Sequence, residues 1–462
     1  MDDRDVHGPS GHHPPGGDAN PGGATDPGGA TDPGGTATRG FTRRAVLVGG
    51  LAAGGVGAAA GFVGGRVTAE GRTPGAAAAA GELTYPFRGD HQQGVTTPAQ
   101  QQMHLTAFDV TARDRDSLID LLTAWTRAAE NLTAGLPVDS MRVSKSAPPD
   151  DTGEAFDLGA SGLTITIGFG KTLFRDAQGR DRFGLADRLP APLAEDIPRM
   201  AAEKIDAARS GGDLVVQACA EDPLVALHAI HNLTRIAFGW ATVRWTQLGY
   251  GRTSSTGAGQ ATPRNLFGFK DGTASLRGDQ DELLRDFVWV GQDDDAADWM
   301  AGGTYLCARK IRMTMEVWDE LPLRDQENAV GRDKISGAPL SGGDESSAPD
   351  FTARSAGGSP AIPEASHVAL MHPTRNAGVH MLRRGYNYTD GSDELGRLDA
   401  GLFFIAFVRD PRRHFTPLLA RMQFDLLTEY LQHLTSSVFA IPPGLRDGQT
   451  YIGQQLFEPT AG

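Results

Sequence analysis

Apolar side chains recur along residues 104–220 with the two spacings that mark strands and helices. Residues 104–110 alternate apolar and polar side chains, as a half-buried strand does. Residues 115–134 instead carry Leu118, Leu122 and Trp125 at helical spacing, on one face. The order of these patterns predicts an α+β sandwich of the ferredoxin-like kind. The predicted elements are strands at 104–110, 163–170 and 214–220, and helices at 115–134, 198–208 and 223–240.

A similar succession of patterns follows a Ser- and Gly-rich connector at residues 251–260. A long Ser-, Gly- and Pro-rich loop is expected at 336–362. We therefore expect two ferredoxin-like α+β sandwich domains, at residues 81–255 and 256–462, preceded by a segment of different character at residues 1–80. The predicted elements of the second domain are strands at 304–315 and 402–408, and helices at 318–330 and 417–434.

The first segment of the chain has the composition of a disordered leader and an export signal. Residues 1–38 are mainly Gly, Pro, Asp and Thr, so they offer little to bury. Arg43 and Arg44 then precede a weakly apolar run, which is typical of a twin-arginine signal. A transmembrane anchor is the alternative, although many glycines make the run less apolar than a stable span. The signal predicts export to the periplasm, the cell envelope or the medium, with cleavage between Ala69 and Ala80.

Charge and cysteine content exclude two classes of function. The formal net charge of −14 argues against a nucleic-acid partner, because binding phosphates needs clustered Lys and Arg. The chain has two cysteines, Cys219 and Cys307, each inside an apolar run and without a CxxC spacing. Any iron is therefore not expected in a thiolate cluster.

Residues 264–274 carry the most suggestive local chemistry. This stretch is apolar and aromatic up to Phe269, and then places Asp271 before Gly272. A carboxylate at the end of an apolar stretch can be partly desolvated, which suits it to moving protons. The glycine permits close approach of the backbone to a flat ligand. An ordinary Asp-Gly turn after a strand is the alternative that local sequence favours.

Several segments together resemble one family. Residues 268–273, Gly-Phe-Lys-Asp-Gly-Thr, resemble the signature of the dye-decolourising peroxidases, haem enzymes unrelated to plant-type peroxidases. Further resemblances to this family follow in the order that the family shows, at residues 87–98, 366–368, 381–388 and 398–402. The resemblance implies a dimeric α+β barrel-like fold with one haem b per chain, held in the C-terminal domain.

The resemblance also implies the site residues. By it, His367 is the iron ligand, Asp271 moves the proton of the peroxide, and Arg383 stabilises the developing charge. Asp399 is implied to accept a hydrogen bond from the proximal imidazole. The other implied contacts to the cofactor are Gly272, Thr273, Ala274, His372, Pro373, Thr374, Leu402 and Phe404. Composition alone leaves the ligand open among His367, His372, His380, His414 and His433.

Two positions depart from the family pattern. Relatives commonly carry a basic residue two positions after the proximal histidine, where this chain has Ala369. They also carry an arginine where this chain has Thr374. Side-chain contacts to the haem propionates are therefore open, and Arg375 is one candidate.

The resemblance implies a peroxidase that uses hydrogen peroxide to oxidise dyes, phenols or other organic electron donors. One alternative is a deferrochelatase, which releases iron from haem with the porphyrin intact and would work with iron-uptake partners. The other is a non-catalytic haem-binding protein, which would need no distal Asp–Arg pair. An oligomer is compatible with each.

Overall fold

The first half follows the strand order of a ferredoxin-like unit. The computed structural model describes residues 82–139, 145–200 and 203–458, so the predicted export segment lies outside the described residues. Four strands alternate with two long helices in this half. The elements are β1 (Gln102–Val110), α1 (Arg115–Thr133), β2 (Thr164–Gly170), α2 (Lys171–Phe174), α3 (Ala191–Ala194), β3 (Leu214–Ala220), α4 (Pro223–Ile236) and β4 (Ala241–Arg252).

Among the described residues, the second half has six strands, two of which have only two and three residues, with short helices between them. Its strands are β5 (Thr304–Met313), β6 (Leu382–Arg383), β7 (Tyr386–Ser392), β8 (Leu398–Val408), β9 (Leu431–His433) and β10 (Ser437–Ile441). Its helices are α5 (Asp281–Phe287), α6 (Met315–Asp319), α7 (Leu323–Val330), α8 (His367–Met371), α9 (Pro411–His414), α10 (Thr416–Arg421) and α11 (Gln454–Phe457).

Strands from both halves form one antiparallel sheet that closes on itself. The sheet runs in the order β6-β8-β7-β4-β1-β3-β2-β10-β5-β9. An additional pairing of β5 with β8 completes a ring of eight strands, in which each half contributes four. The two halves meet where β4 pairs with β7 and where β2 pairs with β10. The expected fold class, two ferredoxin-like units joined as an α+β barrel, is therefore confirmed.

Local signals explain where the long helices begin and which face they bury. Asp114 accepts a hydrogen bond from the backbone N–H of Ser117, which caps α1, and Asp222 caps α4 in the same way before its first-turn proline. The α1 positions predicted to share a face, including Trp125, are buried. Both helices pack on the outside of the sheet, so the hydrophobic stripe fixes their position.

Two predicted helices are wrong in ways that matter for the site. In the region predicted as a helix at 198–208, Lys204 and Asp206 donate backbone hydrogen bonds to residues 433 and 434. Of the residues that the structure describes there, only Ala207–Arg209 form a helical turn. The helix predicted at 417–434 ends at Arg421, because its last residues form β9 and pair with β5. Pairing with the sheet edge overrides helical spacing in both segments.

The helix predicted at 318–330 is also interrupted. The structure has α6 and α7 there, with Pro322 between them at the N-terminus of α7. Proline cannot donate a backbone hydrogen bond inside a helix, so the helix is interrupted at Pro322.

The described residues include no helix that combines the length and apolar character needed to cross a bilayer.

A buried histidine on β1 makes the stability of the fold depend on pH. His104 is 7 % exposed, and its Nε2 lies 2.7 Å from Thr246 Oγ1. Its Nδ1 is buried and has no hydrogen-bond partner in the described part of the chain. Burial lowers the pKa of His104 from 6.5 to about 4. As the pH falls below 6.5, the unfolded chain takes up a proton at His104, whereas the folded chain takes up this proton only near pH 4.

We expect this histidine to weaken the fold as the pH falls from 6.5 towards 4. Its contribution to the loss of unfolding free energy is about 1.4 kcal/mol per pH unit in that window. His104→Gln should make the unfolding free energy, measured by urea titration at pH 7 and pH 5, less dependent on pH. Equal pH dependence in the variant and the wild type would contradict this assignment.

Candidate active site

A large cavity lies against the outer face of β5 and β8. Its empty volume is about 1690 Å³, including the part that opens to solvent. Directly paired residues form one wall, with Arg309 opposite Phe404 and Ile311 opposite Leu402. The other walls are apolar side chains from the segment before α5, from α7 and α8, and from the segment after α9. They are Phe267, Phe269, Val330, Met371, Leu418, Leu419, Met422, Leu427 and Leu431.

Asp271 and Arg383 form an ion pair on the cavity wall. Arg383 Nη1 donates to Asp271 Oδ1 at 3.2 Å, and Asn265 Nδ2 donates to Asp271 Oδ2 at 3.2 Å. The side chains of Arg383 and Asp271 are 21 % and 17 % exposed, so both remain accessible from the cavity. The structure therefore brings together two residues that lie 112 positions apart in the chain.

The backbone around Asp271 depends on the glycine that follows it. Gly272 has a φ of +84°, and a Cβ there would lie 2.8 Å from Ser254 Cα. This residue therefore serves a left-handed turn packed against the 253–254 backbone. Arg383 is fixed differently, because β6 pairs with β8 and Ser275 Oγ accepts a hydrogen bond from the Arg383 backbone N–H.

His367 is the first residue of α8 and is held by a buried carboxylate. Ser366 caps the helix, and His367 Nδ1 lies 2.6 Å from Asp425 Oδ2. The Asp425 side chain is 0 % exposed, whereas that of His367 is 32 % exposed and lines the cavity. Burial disfavours the imidazolium, but the charge and hydrogen bond of Asp425 outweigh it and raise the pKa of His367.

The prediction that Asp399 accepts the hydrogen bond from His367 is wrong. Asp399 lies instead beside Tyr388, whose hydroxyl donates to it at 3.5 Å, and beside Lys310 Nζ at 3.5 Å. The physical reason is strand alternation, because Leu402 on β8 faces the cavity and a residue three positions earlier faces the other side. Asp425 makes the contact with His367 that the resemblance implied for Asp399.

Most of the other predicted contacts line the cavity. These are Gly272, Thr273, Ala274, His372, Pro373, Leu402 and Phe404. Thr374 is not among the lining residues, and its hydroxyl lies 2.8 Å from His372 Nδ1 instead. Arg375, the candidate for a propionate contact, stacks over the ring of Phe351 at 4.3 Å and does not line the cavity.

Polar contacts that the sequence did not predict lie at the cavity wall. Arg309 Nη1 donates to Glu203 and to His433 Nδ1, the latter at 3.2 Å. Burial and the charge of Arg309 lower the pKa of His433 to about 3, so this imidazole is neutral. Arg332 is a further lining residue. The sequence predicts helices over these segments, so it gives no signal that Glu203 and His433 contact Arg309. It likewise gives no signal that Asp425 contacts His367.

The cavity residues fit a haem. Among the described residues, His367 Nε2 has no hydrogen-bond partner, so its lone pair can bind iron while Asp425 holds the other nitrogen. Thr273 Oγ1 is buried and has no partner within residues 82–139, 145–200 and 203–458, so it can bind a polar group of a ligand. The apolar walls match the porphyrin faces. His367, held by Asp425, could therefore bind the iron of a haem, and the Asp271–Arg383 pair lies on the wall of the same cavity.

Both halves of the chain match models of one protein family. The family model "Dyp-type peroxidase, N-terminal" matches residues 92–251, and "Dyp-type peroxidase, C-terminal" matches residues 262–446. A protein of Escherichia coli O157:H7 named deferrochelatase is 34% identical over 374 residues, covering 80% of this chain and 86% of its own length.

Solved structures give the same answer. A DyP-type peroxidase from Streptomyces coelicolor has a TM-score of 0.74 and 38% identity, over 82% of this chain and 99% of that one. DtpA from Streptomyces lividans, whose oxyferrous complex has been solved, gives the same values. The two family models together span both halves of the ring and most of the residues that line the cavity. The chain belongs to the Dyp-type peroxidase family and is a haem peroxidase.

Proposed function

We propose that this protein reduces hydrogen peroxide at a haem held by His367, with Asp271 and Arg383 as the catalytic side chains, and oxidises dyes, phenols or similar organic donors. The observation that carries the proposal is the 3.2 Å Asp271–Arg383 pair on the wall of the cavity that His367 also lines. A non-catalytic haem-binding protein would gain nothing from a carboxylate and a guanidinium directed at the same cavity.

Bound haem supplies the iron that binds peroxide and exchanges electrons. The Asp271 carboxylate accepts a proton from one peroxide oxygen and returns it to the other, so that water can leave. Arg383 contributes fixed positive charge where negative charge develops, because a guanidinium does not deprotonate. Asp425 accepts the Nδ1 hydrogen bond of His367, which makes Nε2 a stronger electron donor.

Release of iron from haem is the second candidate. It is favoured by the relatives named deferrochelatase, at 34% and 36% identity. A cavity that binds haem through one imidazole serves either reaction, and iron-uptake partners belong with this alternative. Iron-free porphyrin and oxidised donor are different products, so they separate the two candidates.

We also propose that the protein is exported by the twin-arginine route. Arg43 and Arg44 before a weakly apolar run support this. A route that carries folded proteins suits one that takes up a bulky cofactor before export.

We expect Asp271→Ala and Arg383→Ala to keep haem but to react slowly with peroxide. The loss should be about 100- to 10,000-fold for the acid–base residue and about 100- to 1000-fold for the cation. Stopped-flow absorbance of the Soret band after mixing with peroxide measures this rate, and Asp279→Ala, an exposed acid, is the matched control.

Unchanged rates in both variants would remove the proposed roles.

A second experiment adds a dye to the mixture of wild-type protein and peroxide, and the products are analysed by absorbance and mass. Oxidised dye with intact haem supports peroxidase function, whereas accumulating iron-free porphyrin supports deferrochelatase function.

Asp425→Asn should raise the reduction potential of the bound iron, because the imidazole loses the charge that strengthens its donation. If the stability of the oxidised iron relative to the reduced iron falls by a factor of about ten to 100, the reduction potential rises by roughly 60 to 120 mV. Asp399→Asn is the matched control and should leave the potential unchanged. Spectroelectrochemical titration measures both, and a larger shift in the Asp399 variant would reverse the assignment.

Changing Arg43 and Arg44 together to lysine should retain the protein in the cytoplasm. Arg39→Lys, which lies outside the pair, should be exported normally. Cell fractionation with immunoblotting measures the distribution. A wild-type protein that stays with the membrane would instead support the anchor.

A further inference from the structure

The cations that line the cavity are neutralised unequally. In the described part of the chain, three of the four Lys and Arg residues on the cavity wall have a carboxylate of their own. Lys270 pairs with Glu345, Arg309 with Glu203 and Arg383 with Asp271. Arg332 is the fourth, and no carboxylate lies within salt-bridge distance of it among the described residues.

The contacts of Arg332 leave its charge available. Its Nη1 donates to the backbone carbonyls of Gly337 at 2.7 Å and Glu345 at 3.0 Å, which fix the guanidinium in place. The Glu345 side chain is close enough to favour the charged form, but its carboxylate is hydrogen-bonded to Lys270. One carboxylate therefore faces two cations, and one positive charge remains in excess at a residue that is 8 % exposed.

The surroundings of Arg332 are positive as well. Burial lowers the pKa of His372, and the charges of Arg332, His380 and Arg375 lower it further. The charge of Arg383 also acts on Arg332. A buried cation without its own counter-ion is costly unless an anion joins it. An anionic group of a ligand beside Arg332 would therefore lower this cost.

We propose that Arg332 binds a propionate carboxylate of the haem and is the main charged anchor of the cofactor. The proposal rests on haem binding at His367. Haem brings two carboxylates to an otherwise apolar cavity, and a guanidinium binds carboxylate strongly. Arg375 is excluded from this role by its position over Phe351, outside the cavity wall.

The test compares haemin with haemin dimethyl ester, in which both propionates are uncharged. Each is loaded into the full-length protein, and its transfer to excess apomyoglobin is followed by absorbance. Arg332→Gln should speed loss of haemin by about 10- to 100-fold, which is the worth of a charge-assisted hydrogen bond, and change loss of the diester little. Arg332→Lys should recover part of the difference.

Arg375→Gln is the matched control and should not alter the ratio between haemin and its diester. Equal acceleration of both ligands by Arg332→Gln would mean that the residue only supports the 332–345 loop, and would overturn the proposal. No acceleration of either would overturn it too. Failure of the wild type to bind haemin at all would instead overturn the function proposed above, so the two failures are distinguishable.

Discussion

The pairing of β5 with β8 is the contact on which both the fold and the site depend. It closes the eight-stranded ring, and its register sets Arg309 beside Phe404 and Ile311 beside Leu402. Because strand side chains alternate between faces, the same two strands supply the barrel core through residues such as Phe403 and Ile405 and the cavity wall through their neighbours. A register slip of one residue would exchange the two faces and remove the site.

Charge pairing decides how polar groups can remain in this apolar cavity. Arg309 and Glu203 have side chains that are 2 % and 3 % exposed, so each compensates the desolvation of the other. Truncating one partner of such a pair typically costs about 3–5 kcal/mol. The His367–Asp425 pair follows the same rule, with the carboxylate fully buried and the imidazole turned towards the cavity. Among the described residues that line the cavity, His367, Asp271, Arg383, Arg332 and Thr273 carry polar groups that can contact a ligand.

The sequence itself contained a sign that Asp399 does not accept the hydrogen bond of His367. The resemblance implies that Leu402 and Phe404 contact the cofactor, so they share one face of a strand. Regular alternation then puts residue 399 on the opposite face. Asp425 gave no comparable signal. It lies in a segment whose apolar spacing resembles a helix, whereas the chain there makes a short turn and then joins β5 as β9.

Sequence by itself determined the ferredoxin-like order of strands, the helices with strong caps and stripes, and the family, because these follow from local spacing and short motifs. It also identified Asp271, Arg383 and His367 as candidates, since each stands in a recognisable segment. Only the tertiary structure decided which residues meet across long separations: Asp425 with His367, Glu203 with Arg309, and the cavity wall with Arg332. Such contacts depend on strand pairing between distant segments, which leaves no periodic trace in the chain itself.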